Sequence, residues 1–126
     1  MARFLWICLG GAAGTGCRYL LAGWIFRMTG QGFPYGTLAV NVLGSFLLGF
    51  ILQYELTAGA LPPTLRLALT TGFTGGFTTY SAFNDETIRL FQRGSWGTGA
   101  ANIAATLLTC LAAGLLGVAL ARWAGG

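Results

Sequence analysis

Four long stretches of this chain, about residues 4–26, 36–54, 65–92 and 98–122, are built mainly from apolar residues, glycine and hydroxyl side chains. A bilayer core about 30 Å thick is crossed by about 20 helical residues, so each stretch can span it once glycine is admitted as a membrane-helix residue. Lipid offers backbone N–H and C=O groups no partner, and a single span satisfies them only as a helix. Composition agrees: 55% of the residues are hydrophobic and 8% charged, whereas about a quarter of the residues in a soluble domain are charged. Mean hydropathy is +0.69. The pattern predicts an all-α integral membrane protein, one domain over residues 1–126 with four transmembrane helices per subunit.

The connectors carry turn chemistry and are too short for a further domain. Met28 to Tyr35 holds Gly30, Gly32 and Pro34; Thr57 to Thr64 holds Gly59, Pro62 and Pro63; the last is Gln92-Arg93-Gly94-Ser95. Trp6, Trp24, Trp96 and Trp123 each stand near a span end, where an amphipathic ring prefers the headgroup level. Phe4 to Leu9 behind Met-Ala-Arg resembles a signal peptide, but the apolar stretch continues past Gly16 to Phe26, which favours a retained first span.

Arginine is the only strongly basic residue type, and it is divided evenly. Arg3, Arg66 and Arg122 fall on one side of the spans, Arg27, Arg89 and Arg93 on the other, with Arg18 inside the first. Three against three gives the positive-inside rule no direction, so both orientations can be made and an antiparallel, dual-topology homodimer in membrane lipid is expected. The net charge of +4 does not indicate nucleic acid, because the arginines are dispersed and form no basic face for phosphates. Cys8, Cys17 and Cys110 lie in apolar surroundings, odd in number and without ligand spacing, and there is no histidine. Disulfide frameworks, zinc sites and histidine-based catalysis are disfavoured accordingly.

Gly10, Gly14, Gly44, Gly49, Gly114 and Gly117 give small faces to the first, second and fourth spans, which lets membrane helices approach closely. The third span is different. Its centre reads Thr70-Thr71-Gly72-Phe73-Thr74-Gly75-Gly76-Phe77-Thr78-Thr79-Tyr80-Ser81. Each glycine lowers helix propensity by about 1 kcal/mol relative to alanine, and the hydroxyls can bond backbone groups that a break releases. A break is predicted at Gly75-Gly76, at the centre of the assembly. Where two antiparallel copies meet on a two-fold axis, the freed carbonyls can surround a dehydrated sodium ion; the alternative is a kink that binds nothing.

Several side chains could carry chemistry. Arg18 either serves an anion or snorkels to the interface. Asn41, the lone amide of the second span, either donates to an anion or bonds helices together. Asn102, Thr106, Thr109 and Cys110 make a polar stripe on one face of the fourth span, suited equally to a pore wall and to interhelical bonding. Tyr80 and Phe83 share a face after the break; their ring edges carry partial positive charge and can line an anion path. The carboxylates are Glu55, Asp85 and Glu86. A small dual-topology, proton-coupled cation or drug antiporter is the main rival, and Glu86 is the one carboxylate it could use. An enzyme is poorly supported, since the hydroxyls have no histidine or lysine base.

The run Gly72-Phe73-Thr74-Gly75-Gly76-Phe77-Thr78-Thr79-Tyr80-Ser81-Ala82-Phe83 with Glu86, the segment Gly36-Thr37-Leu38-Ala39-Val40-Asn41 with Gly44, and Gly14 before Arg18-Tyr19 resemble the CrcB or Fluc family of fluoride channels across all four spans. The resemblance implies an antiparallel homodimer of four-helix subunits in the bacterial plasma membrane, passing fluoride out of the cytoplasm through two pores. It implies a structural sodium ion held by the backbone carbonyls of Gly75 and Thr78 from both subunits. It further implies that Tyr80 and Phe83 stand beside the pores, that Asn41 and Ser81 lie near the fluoride path, and that Asn102, Thr106 and Cys110 form its polar track. Arg18 matches the family arginine of the first span, and Glu86 the carboxylate near a pore mouth. Tyr80 stands where the family usually has phenylalanine, Ala82 where it has threonine, and Asn84 where it has serine.

Overall fold

A computed structural model describes all 126 residues, Met1–Gly126, and every regular element in it is helical. Helix α1 runs Ala2–Thr29, α2 Tyr35–Ala58, α3 Pro63–Leu67, α4 Gly75–Phe77, α5 Tyr80–Gln92 and α6 Trp96–Ala124, with a π-helical segment, Ala68–Thr74, between α3 and α4. Helices α1, α2 and α6 are each long and apolar enough to cross a membrane, and they contain the stretches 4–26, 36–54 and 98–122. The stretch 65–92 is divided among α3, the π segment, α4 and α5.

Turn chemistry ends the elements as the sequence requires. Gly30 and Gly59 stop α1 and α2 at φ +76° and +57°, a left-handed conformation that glycine adopts without a Cβ clash. Pro63 opens α3, where its missing N–H costs nothing.

Only 19 of the 126 residues are buried, which is the reverse of a soluble core: the apolar mass is on the outside. Along α6, Leu107, Leu108, Leu111, Leu115 and Leu116 are each more than 60% exposed, a ridge that suits lipid or another apolar surface. The interior is made of small residues. Helix α2 packs along α6 and α1 packs along the π segment. At Gly49 and Gly117 an added Cβ would collide with the Gly114 and Phe46 carbonyls; at Gly10 and Gly14 it would collide with the carbonyls of Ala68 and Phe73. Close backbone approach of this kind replaces the hydrophobic drive that lipid removes.

The break in the third stretch lies three residues beyond the predicted Gly75-Gly76. Both glycines are helical, and the backbone turns extended at Thr78 (φ −89°, ψ 157°) and Thr79 (φ −150°, ψ 113°). Gly76 instead serves contact, since a Cβ there would strike the Gly11 carbonyl. Low helix propensity located the weak region, but the side chains bonding to it chose the residue. Local propensity gives no sign of the π segment Ala68–Thr74. Its wide turn accompanies a hydrogen bond from the Thr74 hydroxyl to the Leu69 carbonyl, five residues back, at 2.9 Å.

Replacing Gly14 with valine is expected to lower the yield of folded protein sharply, since the obstructing atoms are backbone and cannot step aside. The overpacking costs more than about 2 kcal/mol. Gly23→Ala, at a position with open space around it, should be tolerated. Size-exclusion profiles of the two variants after detergent extraction and graded heating check the difference.

Candidate ion site at the helix break

The break sits between α1 and α2, and side chains from both bond to its backbone. From α2, Asn41 makes a paired contact with one residue: its Nδ2 donates to the Thr79 carbonyl at 3.1 Å, and its Oδ1 accepts from the Thr79 N–H at 2.7 Å. From α1, Arg18 Nε donates to the Gly76 carbonyl at 3.0 Å, and the Thr15 hydroxyl reaches the same oxygen at 3.5 Å. Thr79 then caps α5, its Oγ1 accepting from the Ala82 N–H at 3.1 Å, the usual role of threonine at a helix start. Ser81, exposed on the first turn of α5, shares a hydrogen bond with that same Thr79 hydroxyl at 3.2 Å.

Beside the break is an open groove of 330 Å³ that brings together Asn41, Thr78, Tyr80, Phe83, Thr106 and Cys110. Tyr80 is 76% exposed and Phe83 7%. Their ring centroids are 5.5 Å apart at 64°, an edge-on arrangement that turns the positive rim of one ring toward the face of the other. The groove wall thus combines an amide, hydroxyls, a thiol and aromatic rings, with no charged group.

Of the residues picked out by sequence, Arg18, Gly75, Ser81, Glu86, Asn102 and Thr109 lie outside this groove. Asn102 is 1% exposed and bonds α6 to α5: its Nδ2 donates to Thr87 Oγ1 at 2.9 Å, and its Oδ1 accepts from Thr106 at 3.5 Å. The Thr87 hydroxyl in turn donates to the Phe83 carbonyl at 2.7 Å, so Asn102 supports Phe83 from behind. Arg18 is on the α1 side of the break. Glu86 borders a separate cavity of 540 Å³ at the α1–α2 turn, with Arg89, Arg93 and Gln31. Its Oε1 accepts from the Thr37 hydroxyl at 2.7 Å, and its Oε2 is buried without a partner. Thr15, Thr37, Thr79 and Thr87 complete these networks and were not singled out by sequence, because a threonine in a membrane helix usually bonds its own preceding turn.

The fold and site together define a small multi-pass membrane protein whose broken helix is held between two long ones beside a polar groove, the construction that ion sites within bilayers use. The sequence matches the family described as "CrcB-like protein, Camphor Resistance (CrcB)" over residues 5–118, and the chain belongs to that family. It is 61% identical over 122 residues to a protein of Sorangium cellulosum (strain So ce56) named "Fluoride-specific ion channel FluC", covering 97% of this chain and 96% of the relative. Proteins with the same name from Anaeromyxobacter dehalogenans (strain 2CP-1 / ATCC BAA-258) and Geobacter metallireducens (strain ATCC 53774 / DSM 7210 / GS-15) are 52% and 49% identical. The first covers all of both chains; the second covers 97% of this chain and 98% of the relative.

Asn102→Ala is expected to cost about 1–3 kcal/mol of stability, because it removes a buried amide that donates to the Thr87 hydroxyl and accepts from the Thr106 hydroxyl. Combined with Thr87→Val it should cost less than the sum of the two single changes. Thermal unfolding of the four proteins in detergent gives the coupling.

Proposed function

We propose that this chain is a fluoride-selective channel that lets fluoride leave the cell passively and so confers fluoride resistance. It is a channel and not an enzyme. Hydrogen fluoride crosses bilayers uncharged, dissociates inside and is retained as the anion. An inside-negative potential then drives the anion outward at about 2.3 kcal/mol per 100 mV, so an open path suffices. The observation that carries the reading is near full-length identity of 49–61% to three proteins each named a fluoride-specific ion channel.

The working unit is an antiparallel homodimer of four-span subunits with two pores. The even arginine distribution supports dual insertion, and the exposed apolar faces support a partner in the membrane. A structural sodium ion lies on the dimer axis, held by the Gly75 and Thr78 carbonyls of both subunits. Support comes from the donors: carbonyls at an unwound helix suit a cation that takes oxygen ligands, and no cluster of carboxylates or thiols competes for it. Asn41, Tyr80, Ser81, Phe83, Thr106 and Cys110 line the fluoride path, Asn102 backs it, and Arg18 and Glu86 act at its approaches. Fluoride is strongly hydrated, and a row of weak donors and ring edges replaces its water without holding it too tightly to leave. The antiporter reading has only Glu86, which borders the turn cavity and not the groove.

Two measurements test this. In liposomes containing the purified protein, a fluoride electrode should record fast fluoride release once a potassium ionophore is added, with little chloride release. Phe83→Ile should abolish that release while the dimer persists on size exclusion, and unchanged release would remove Phe83 from the pore. Adding two arginines at one end of the spans should fix the orientation and reduce activity when that version is expressed alone. Full activity would contradict the antiparallel dimer.

A further inference from the structure

A helix break releases more carbonyls than one cation can use, and in this chain the hydrogen bonds distribute them unevenly. In an unbroken helix the N–H of residue i closes onto the carbonyl of i−4, so the Thr79 N–H belongs to Gly75 and the Ala82 N–H to Thr78. Here both amides are diverted to side chains. The Thr79 N–H goes to Asn41 Oδ1 at 2.7 Å, and the Ala82 N–H to Thr79 Oγ1 at 3.1 Å. Of the two carbonyls between Gly75 and Thr78, that of Gly76 receives the opposite treatment: it is occupied by Arg18 Nε at 3.0 Å and Thr15 Oγ1 at 3.5 Å.

We infer that Asn41 and Thr79 are surrogate acceptors that set the cation site, taking the two amide protons that would otherwise close on Gly75 and Thr78 and leaving those carbonyls as ligands, while Arg18 and Thr15 withdraw Gly76 from the set. The inference rests on the proposed sodium site and extends it to side chains that do not touch the ion. Asn41 keeps one N–H free after bonding Thr79, since a carboxamide has two donors, and it borders the groove with that hydrogen available. One residue therefore serves both the cation site and the groove wall. Thr79 does the same for the second carbonyl with a hydroxyl.

The test reads sodium binding without relying on fluoride flux. Purified dimer is exchanged exhaustively into a buffer whose only monovalent cation is N-methyl-D-glucamine, sodium is titrated back, and the half-saturating concentration is taken from protection against thermal unfolding. Thr79→Val keeps the shape and removes the acceptor; Thr79→Ser keeps the acceptor. Loss of one such hydrogen bond to a ligand-bearing strand should raise the half-saturating sodium concentration about tenfold or more in Thr79→Val and Asn41→Leu, and Thr79→Ser should stay within about twofold of the unchanged protein. If Asn41→Leu does not fold, the isosteric Thr79 pair carries the comparison. A lower melting temperature in Thr79→Val with an unchanged half-saturating concentration would overturn the inference, reducing Thr79 to a helix cap. Absence of sodium protection in the unchanged protein would instead overturn the sodium site itself.

Discussion

Everything in this structure depends on how the backbone is satisfied where the third stretch stops being helical. A bare N–H or C=O at membrane depth costs several kcal/mol, so an extended pair of residues persists there only if other groups supply the bonds. Asn41 supplies two from α2, Arg18 and Thr15 supply two more from α1, and the Thr79 hydroxyl starts the next helix. These bonds require α1, α2 and the break to be within hydrogen-bonding reach at once. The small-residue seams provide that distance, with Gly10 and Gly14 against the π segment and Gly44 against Thr78.

The same arrangement shapes the groove. With Thr79 extended and capping α5, Tyr80 and Phe83 meet edge to face in the groove that Asn41 also lines. Behind them the Asn102–Thr87–Phe83 chain ties α6 to α5, holding one wall rigid while Tyr80 remains open to the surroundings. Polar side chains in a bilayer are retained where they bond or line a path, and here they do both within a few residues. Ion pairing contributes little by comparison: the Asp85–Arg89 pair is exposed on α5, where solvent screens it.

Several features were legible from particular residues. Apolar runs near 20 residues identified α1, α2 and α6, glycine and proline marked the turns, and Gly72 to Ser81 announced an irregular third stretch. The groove is partly legible too, since Asn41, Tyr80, Phe83, Thr106 and Cys110 stand out in the sequence as polar or aromatic span residues and the fold brings them together. The position of the break was not, because Gly75 and Gly76 have the lowest helix propensity yet are needed helical for contact with α1. The π turn was equally hidden, as it depends on Thr74 bonding five residues back. A threonine's composition says nothing about which carbonyl it will find.

Membrane class, helix content and a weak point in the third stretch follow from hydropathy, length and local propensity, which every residue carries wherever it lies. Packing between helices sets the rest: the chain opens at Thr78-Thr79 rather than at the glycines, Asn102 faces α5, and Arg18 bonds a carbonyl of the break. Those outcomes depend on hydrogen bonds between groups 15 to 58 residues apart. Their energies exist only once small residues have brought the helices together.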